Sequence, residues 1–408
     1  MIRLRGFSLI ELMISMIMGL ILISGMISFF SALNRSSALN RAIAIVQEDA
    51  RFALESISAD IRMAGFQGCS TMDESRLKVK AVNAPIANFS TGISESAIWL
   101  SKVESETQWT PEIPWGSSFS LPSVNSAVTG TYALALQFGD PSTYPLKAQV
   151  GILAPAADGL IQIAGERADI NINSGDLAII SDCQGGDLFH VTSVSEDDDT
   201  GAVEISHFMD AVTNNDASFS VKYGSTDILL NQTMVMRFNA NIYYIGDTGQ
   251  EDASGNSLTA LYLQTYPFDE DNPPIELIQG AEQLAVSFTQ VDALGNVQYV
   301  NAGDSTFEPS KVQAVRIGIL VSSYDSVAES DDTKTYVMAG QSVIPETAVS
   351  TEEASAEDSS DDDTADDDSS DDDSADDDSA TSLTHAADRK LRLAFDTTVK
   401  IRNQRAQE

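Results

Sequence analysis

The 408-residue chain is poor in basic residues and in cysteine. Its 23 lysines and arginines are outnumbered by 61 acidic residues, and the formal net charge is -38 at pH 7. This charge argues against nucleic acid and anionic lipid headgroups as partners, because both repel an acidic surface. The two cysteines allow at most one intramolecular disulfide.

The motifs of common enzymes and metal sites are also missing. His190, His207 and His385 share no spacing typical of metal ligands, and neither cysteine belongs to a Cys-x-x-Cys pair. The chain has no glycine loop of the kind that binds phosphate and no Gly-x-Ser-x-Gly elbow. We therefore predict no catalytic residue, no metal site and no cofactor, and expect that the protein is not an enzyme.

Charge is almost absent from residues 7–30. A short basic leader, residues 1–6, ends at Gly6, and in the 24 residues that begin with Phe7 the one charged residue is Glu11. At about 1.5 Å per residue, this segment reaches about 36 Å and crosses a bilayer core of about 30 Å. An ionised acid costs roughly 2.5–3.5 kcal/mol at the bilayer centre, which indicates that Glu11 has a function.

The flanking charges predict the orientation of this segment. Arg3 and Arg5 precede it, and the next basic residue is Arg35. The positive-inside rule therefore predicts that the N-terminus lies in the cytoplasm and that the residues after the segment are exported. A cleaved secretory signal would have a shorter apolar region, of about 7–15 residues, with the cleavage site after it. An uncleaved signal anchor is the other alternative.

Beyond the apolar segment the helical pattern becomes one-sided, and we predict an amphipathic continuation over residues 31–65 that packs on a domain. Gly65 is a plausible helix end. The apolar positions recur at spacings of three and four residues: Leu39, Ile43, Val46, Ala50, Ala53, Ile57, Ile61 and Ala64.

Short alternating runs separated by turns follow, which is typical of β-strands. Two pairs of runs predict hairpins, 241–245 with 258–265 and 283–291 with 296–300. Further candidate strands are 132–137, 178–180, 189–194, 203–208 and 312–322. The predicted fold class is α+β: a long N-terminal α-helix, with a transmembrane half and an amphipathic half, packed on a mainly antiparallel β-sheet domain.

The leader, Gly6, Phe7, Glu11 and the apolar run together resemble the signal of type IV prepilins. Further segments, in chain order, resemble the PilW family of type IV pilus minor pilins: Arg51-Phe52-Ala53-Leu54-Glu55, Gly68-Cys69, Ser181-Asp182-Cys183-Gln184-Gly185, Leu277-Ile278-Gln279-Gly280-Ala281-Glu282, Val315-Arg316-Ile317-Gly318 and the closing 392–403. The resemblance implies a pilin-like fold and a role in starting or capping a type IV pilus.

The resemblance also implies site residues and partners. A prepilin peptidase would cut between Gly6 and Phe7 and methylate the new Phe7 amine, and Glu11 would set subunit docking. The implied partners are other minor and major pilins and the inner-membrane assembly platform, with a pilus-tip adhesin as a further candidate. The implied location is the bacterial inner membrane, single-pass with a periplasmic domain, and then the pilus. Alternatives are a type II secretion pseudopilin and a stalk-anchored calcium-dependent adhesin or periplasmic enzyme.

The remaining boundaries follow from composition. We predict a β-rich periplasmic domain over 66–345, an acidic insertion over 346–385 and a C-terminal strand and tail over 386–408. Residues 351–380 hold 16 acids and no base; without them, 45 acidic residues still outnumber 23 basic ones, a net charge of -22. We expect a solvated, disordered insertion, with weak calcium binding as the alternative.

The two cysteines are predicted to be bridged. Cys69 follows the stalk helix and Cys183 lies in a turn after a short strand, and an oxidising compartment favours a disulfide between them. The bridge would close a loop of about 115 residues, which is worth about 4.7 kcal/mol in the chain-entropy model and often less in practice. Two buried free thiols are the alternative.

Overall fold

The computed structural model describes an N-terminal helix and most of the chain that follows it. The described residues are 9–68, 77–81, 97–105, 108–110, 113, 127–148, 160–182, 185–197, 201–208, 214, 219, 222–224, 230, 232–252, 255–268, 271–291, 294–301, 306–308, 311–346 and 383–402. Gly6, Phe7, Cys69, Cys183 and residues 351–380 lie outside them.

A single helix, α1, runs over Leu9–Met63 and has 55 residues, or about 82 Å at 1.5 Å per residue. The end agrees with the predicted one: Gly65 follows in the left-handed region at φ 73°, and its N–H donates to the Gln137 carbonyl at 2.8 Å. Glycine adopts this conformation without the steric cost of a Cβ.

The two halves of α1 differ in their surroundings. Residues 9–30 are almost fully exposed, whereas one face of the second half is buried against the sheets. The buried face consists of Val46, Ala50, Ala53, Ile57 and Ile61. All five belong to the predicted apolar stripe, so the amphipathic pattern is confirmed.

Nineteen strands are present among the described residues. They are β1 Leu77–Val79, β2 Ile98–Ser105, β3 Gln108–Thr110, β4 Tyr132–Pro145, β5 Leu160–Ile163, β6 Leu177–Asp182, β7 Gly185–His190, β8 Ser193–Glu196, β9 Val203–Ser206, β10 Met234–Glu251, β11 Ser257–Thr265, β12 Ile275–Gln279, β13 Ala281–Val291, β14 Val297–Asn301, β15 Val312–Ser326, β16 Tyr336–Met338, β17 Gln341–Pro345, β18 Leu383–His385 and β19 Lys390–Lys400.

The strands form two main sheets and two small ones. The largest follows the order β1-β7-β6-β10-β4-β2-β3. In addition, β11 pairs with β10 and β12 pairs with β11, and β1 pairs parallel with β7. A four-stranded antiparallel sheet has the order β14-β13-β15-β19. The small sheets are β5-β9-β8 and β16-β17-β18. The fold is therefore α+β and mainly antiparallel, as predicted.

The second half of α1 packs chiefly on β15 and β19, with further contacts to β4 and β12. Its buried residues join one continuous core with side chains of both main sheets, including Leu134, Tyr243, Val286 and Ile317. Burial of apolar area at about 25 cal/mol per Å² is the main stabilising term of such a core. The helix is thus attached to the domain through one face only.

Both predicted hairpins are confirmed. β10 and β11 pair antiparallel from Asn241 opposite Thr265 to Asp247 opposite Thr259. β13 and β14 pair antiparallel from Ser287 opposite Asn301 to Val291 opposite Val297. In each case the alternation of apolar residues on both sides of a turn determines the register.

Several strands differ from the prediction. β4 continues eight residues past its predicted end, through Asp140 and Pro141, because a register shift opposite Met236 and Phe238 of β10 accommodates a proline. β18 lies inside the segment assigned to the acidic insertion and pairs parallel with β17. Sheet structure is therefore present from Leu383, before the predicted end of the insertion at residue 385.

Candidate assembly surface

The exposed half of α1 is the largest apolar surface of the described chain. Its leucine, isoleucine, methionine and phenylalanine side chains between residues 9 and 30 are each more than half exposed. It is also the one described helix that is long and apolar enough to cross a membrane, and none of its apolar stretch is buried. Such a surface needs a lipid or protein environment.

Glu11 lies on this surface, two residues after Leu9, the first described residue. Its side chain is exposed, and Ser15 Oγ donates to its backbone carbonyl at 2.7 Å. Among the described residues no basic group forms an ion pair with Glu11. The carboxylate is therefore available to a group from the leader end of its own chain or from a neighbouring subunit.

The far end of α1 is held to the sheet by a mostly buried carboxylate. Asp60 Oδ2 accepts hydrogen bonds from Asn241 Nδ2 at 2.7 Å and from the Tyr243 hydroxyl at 2.6 Å. Burial raises the pKa of Asp60, an effect that these two hydrogen bonds oppose and that nearby Asp140 adds to. A cavity of about 290 Å³, lined in part by Asp60, Asp140 and Arg237, opens beside this joint.

Asp60 predicts a specific pH dependence of stability. Because its folded pKa is raised, its contribution to stability is complete below the unfolded pKa of about 3.9 and is lost as pH rises through the folded value. Asp60→Asn keeps an oxygen for both donors and carries no charge. We expect denaturant unfolding between pH 4 and 8 to show that wild type loses stability relative to this variant as pH rises.

The alanine variant is the matched comparison for this joint. Asp60→Ala leaves the Asn241 amide and the Tyr243 hydroxyl without their acceptor and should cost about 1–3 kcal/mol at pH 4, and less at higher pH, where the buried charge already destabilises wild type. Parallel pH curves for wild type and Asp60→Asn would contradict the role assigned to the buried charge.

A second buried charge cluster surrounds Arg392 of β19. Its side chain is 0% exposed. Nε and Nη2 donate to the two carboxylate oxygens of Glu282 at 2.7 and 3.0 Å, and Nη1 lies 2.7 Å from Asp388 Oδ1 and 3.7 Å from Asp332 Oδ2. The Tyr336 hydroxyl donates to Asp332 at 2.7 Å. Burial disfavours the charged guanidinium, but Glu282 and Asp388 outweigh it and raise the pKa of Arg392.

Further polar contacts fix the chain where it returns from the acidic insertion. Lys390 Nζ lies 3.2 Å from Asp252 Oδ2, and both side chains are almost fully buried. The two ring nitrogens of His385 lie 2.8 Å from the Lys334 carbonyl and 2.9 Å from that of Ala386. These contacts tie β18 and β19 to the residue that follows β10 and to the segment before β16.

The predicted disulfide lies outside the described residues and stays a prediction. The residues next to it do come together: a Cβ placed on Gly68 would lie 3.4 Å from Ser181 Oγ. Gly68 directly precedes Cys69, and Ser181 is two residues before Cys183. This proximity supports the predicted pairing.

The histidines of the described chain have ordinary structural surroundings. His190 Nε2 lies 3.2 Å from the Tyr266 hydroxyl, and His207 packs on Phe219. In the described part of the chain, no group of three or more His, Cys, Asp or Glu side chains is arranged to hold a metal ion. The absence of catalytic, metal and cofactor sites remains a prediction.

Comparison with known proteins adds the family. A family model described as PilW, Type IV Pilus-assembly protein W, matches residues 242–403. The predicted resemblance to the PilW family is confirmed. The PilW family has a role in type IV pilus assembly and is not a known enzyme family. Comparison with curated proteins and with solved structures finds no match.

The PilW match begins within β10 and ends after β19. It contains the whole four-stranded sheet on which α1 packs, together with the acidic partner Glu282 and the central cation Arg392. It also contains Tyr243, whose hydroxyl donates to Asp60, whereas Asn241 lies just before the match. The part of the domain that anchors the stalk is therefore mostly the PilW-like part.

Sequence reasoning missed both buried charge sites. Asp60 lies at the margin of the buried stripe, three residues after Ile57, where the helical pattern alone predicts a solvent-exposed polar side chain. Arg392 begins the closing segment 392–403, and the sequence predicts no partner for it. A signal existed for Arg392, since Lys390 and Arg392 alternate with apolar residues in a strand, but its acidic partners are distant in the sequence.

Proposed function

We propose that this chain is a noncatalytic minor pilin, which inserts in the inner membrane and helps initiate or cap a type IV pilus by packing its N-terminal helix against other pilins. The observation that carries the proposal is the division of α1. Its first half exposes a continuous apolar surface, while one face of its second half is buried in the PilW-like domain.

The physical reason is that a helix with apolar side chains all round must be buried on all sides. In the membrane, lipid provides that environment. In a filament, the helices of neighbouring subunits provide it, and the domain remains outside because it contacts only the second half of the helix. One segment then serves both as membrane anchor and as assembly surface.

The proposed partners are the prepilin peptidase, other minor and major pilins, the inner-membrane assembly platform and a pilus-tip adhesin. The description of the matching family, type IV pilus assembly, favours this system over a type II secretion pseudopilin. The proposed domain limits remain those of the sequence, except that the insertion returns to the fold at Leu383.

Processing of the N-terminus tests this proposal. We expect mass spectrometry of the protein isolated from membranes and pili to find N-methylated Phe7 as its first residue, because peptidase cleavage after Gly6 leaves the apolar segment on the mature chain. Gly6→Leu, which blocks the small-residue side of the cleavage site, should retain the leader. Recovery of residues 1–6 in assembled pili would contradict the proposal.

A further inference from the structure

The hairpin of β13 and β14 carries the most exposed apolar side chains outside α1. Leu294 in its turn is 87% exposed, and Tyr299 and Val297 of β14 are 76% and 58% exposed. These three are among the four most exposed large apolar residues of the described domain. A cluster of this kind, in contrast to a single exposed residue, indicates an interaction site.

Among the described strands, β14 is an edge strand. β14 is the terminal strand of the β14-β13-β15-β19 sheet, and β13 is its one partner among the described strands. Val300 faces the main core, where its cross-strand partner Phe288 is fully buried. Successive side chains alternate between faces, so Val297 and Tyr299 share the opposite face.

The exposed face continues onto the neighbouring strand. Val297 lies opposite Val291, and Tyr299 lies opposite Thr289. An added strand would therefore meet a row of backbone groups at the edge and an apolar surface beside it. Binding to a sheet edge combines these two elements: backbone hydrogen bonds supply affinity, and alternate side-chain contacts supply specificity.

The composition of β14 lacks the usual protection of an edge strand. Its sequence, Val-Gln-Tyr-Val-Asn, contains no charge and no proline. Natural proteins use lysine, other charges, proline or bulges to prevent pairing at exposed edges. In a chain that is otherwise strongly acidic, an uncharged apolar edge is suited to pairing.

We propose that β14 is a docking site for an extended strand of a different pilus subunit. The acidic surface argues against a second copy: the net charge is -38, and it is still -22 without residues 351–380, so two copies repel each other. α1 packs on β15 and β19, away from this edge, so the strand and the stalk bind partners independently. The inference rests on the proposed function, since that function supplies a partner subunit.

A photo-crosslinking experiment tests this docking site in the full-length chain in its own membranes. A benzophenone-bearing phenylalanine replaces Tyr299 in one variant and Val337, which is 65% exposed on β16, in the control. We expect the residue at 299 to form an adduct with another pilus subunit, identified by mass spectrometry, and the residue at 337 to form none. Adding Val297→Lys should lower the adduct yield at least tenfold, because a charge opposes pairing, whereas Val337→Lys should not.

Two results would overturn the inference. An adduct at 299 that contains only this chain would mean that the edge binds a second copy. No adduct at 299, while other pilins still co-isolate with the same chain, would mean that β14 is not a docking site although the stalk assembles. Loss of co-isolation in a chain with the native Tyr299 would instead count against the proposed function. Since Val297 and Val337 are exposed, unfolding should occur at the same denaturant concentration in all variants.

Discussion

Glu11→Ala is expected to be processed and retained in the membrane but to fail to join the complex with other pilins. The variant should keep its membrane anchor, because the substitution removes one acidic side chain from the apolar half of α1 and adds no charge. The proposed defect lies in assembly. When helices pack together, the Phe7 amine created by cleavage loses water and needs an anion, and the resemblance to pilins favours the Glu11 of an adjacent subunit.

The expected size of the effect follows from desolvation. Removing one partner of a buried ion pair leaves an uncompensated charge and costs about 3–5 kcal/mol. Each 1.4 kcal/mol is a factor of ten in an equilibrium constant, so co-isolation of other pilins should fall by more than about 100-fold. Quantitative mass spectrometry of crosslinked complexes from membranes measures this loss.

The control is an acidic residue on the second half of the same helix. Glu55 is exposed there, and removal of an exposed charge typically changes stability by less than about 1 kcal/mol. Glu55→Ala should therefore assemble nearly as wild type does. Normal co-isolation of Glu11→Ala would show that this acid does not set stalk docking.

Arg392→Ala is expected to destabilise the domain by about 3–5 kcal/mol. Arg392 is the central cation among Glu282, Asp388 and Asp332, and its side chain is fully buried. Its loss leaves these carboxylates, themselves mostly buried, without a counter-charge, which is the costly way to break a buried ion pair. Denaturant unfolding of the full-length chain in detergent measures the change in the free energy of unfolding, provided that wild type and variant have the same dependence of this free energy on denaturant concentration.

Two further variants separate charge from geometry. Arg392→Lys keeps the charge but not the paired donors to Glu282, and should lose less than the alanine variant. Arg316 forms a partly exposed ion pair with Asp396 in the neighbouring strand, so Arg316→Ala should cost about 0–1 kcal/mol. A loss below 1 kcal/mol for Arg392→Ala would show that the cluster does not depend on its cation.

Local patterns were sufficient for the stalk and for the two hairpins. The C-terminal end of the helix, its buried stripe and the glycine after it depend on residues three and four positions apart, and hairpin register depends on residues around one turn. The apolar segment around Glu11 likewise predicted, from contiguous residues, a helix long and apolar enough to cross a membrane. The short strands of the small sheets and the continuation of β4 past Pro141 were not predictable in this way, because the pairing partner determines them.

The sequence by itself therefore determined the division of this protein into an apolar stalk, an amphipathic helix and an acidic, β-rich domain. Tertiary structure alone decided which charges are buried. Asp60 meets Tyr243 across 183 positions, and Arg392 meets Glu282 across 110. The physical reason is that a charged side chain is expected at the surface when the sequence alone is considered. The cost of burying a carboxylate or guanidinium is offset only by partners that the fold brings together from distant parts of the chain.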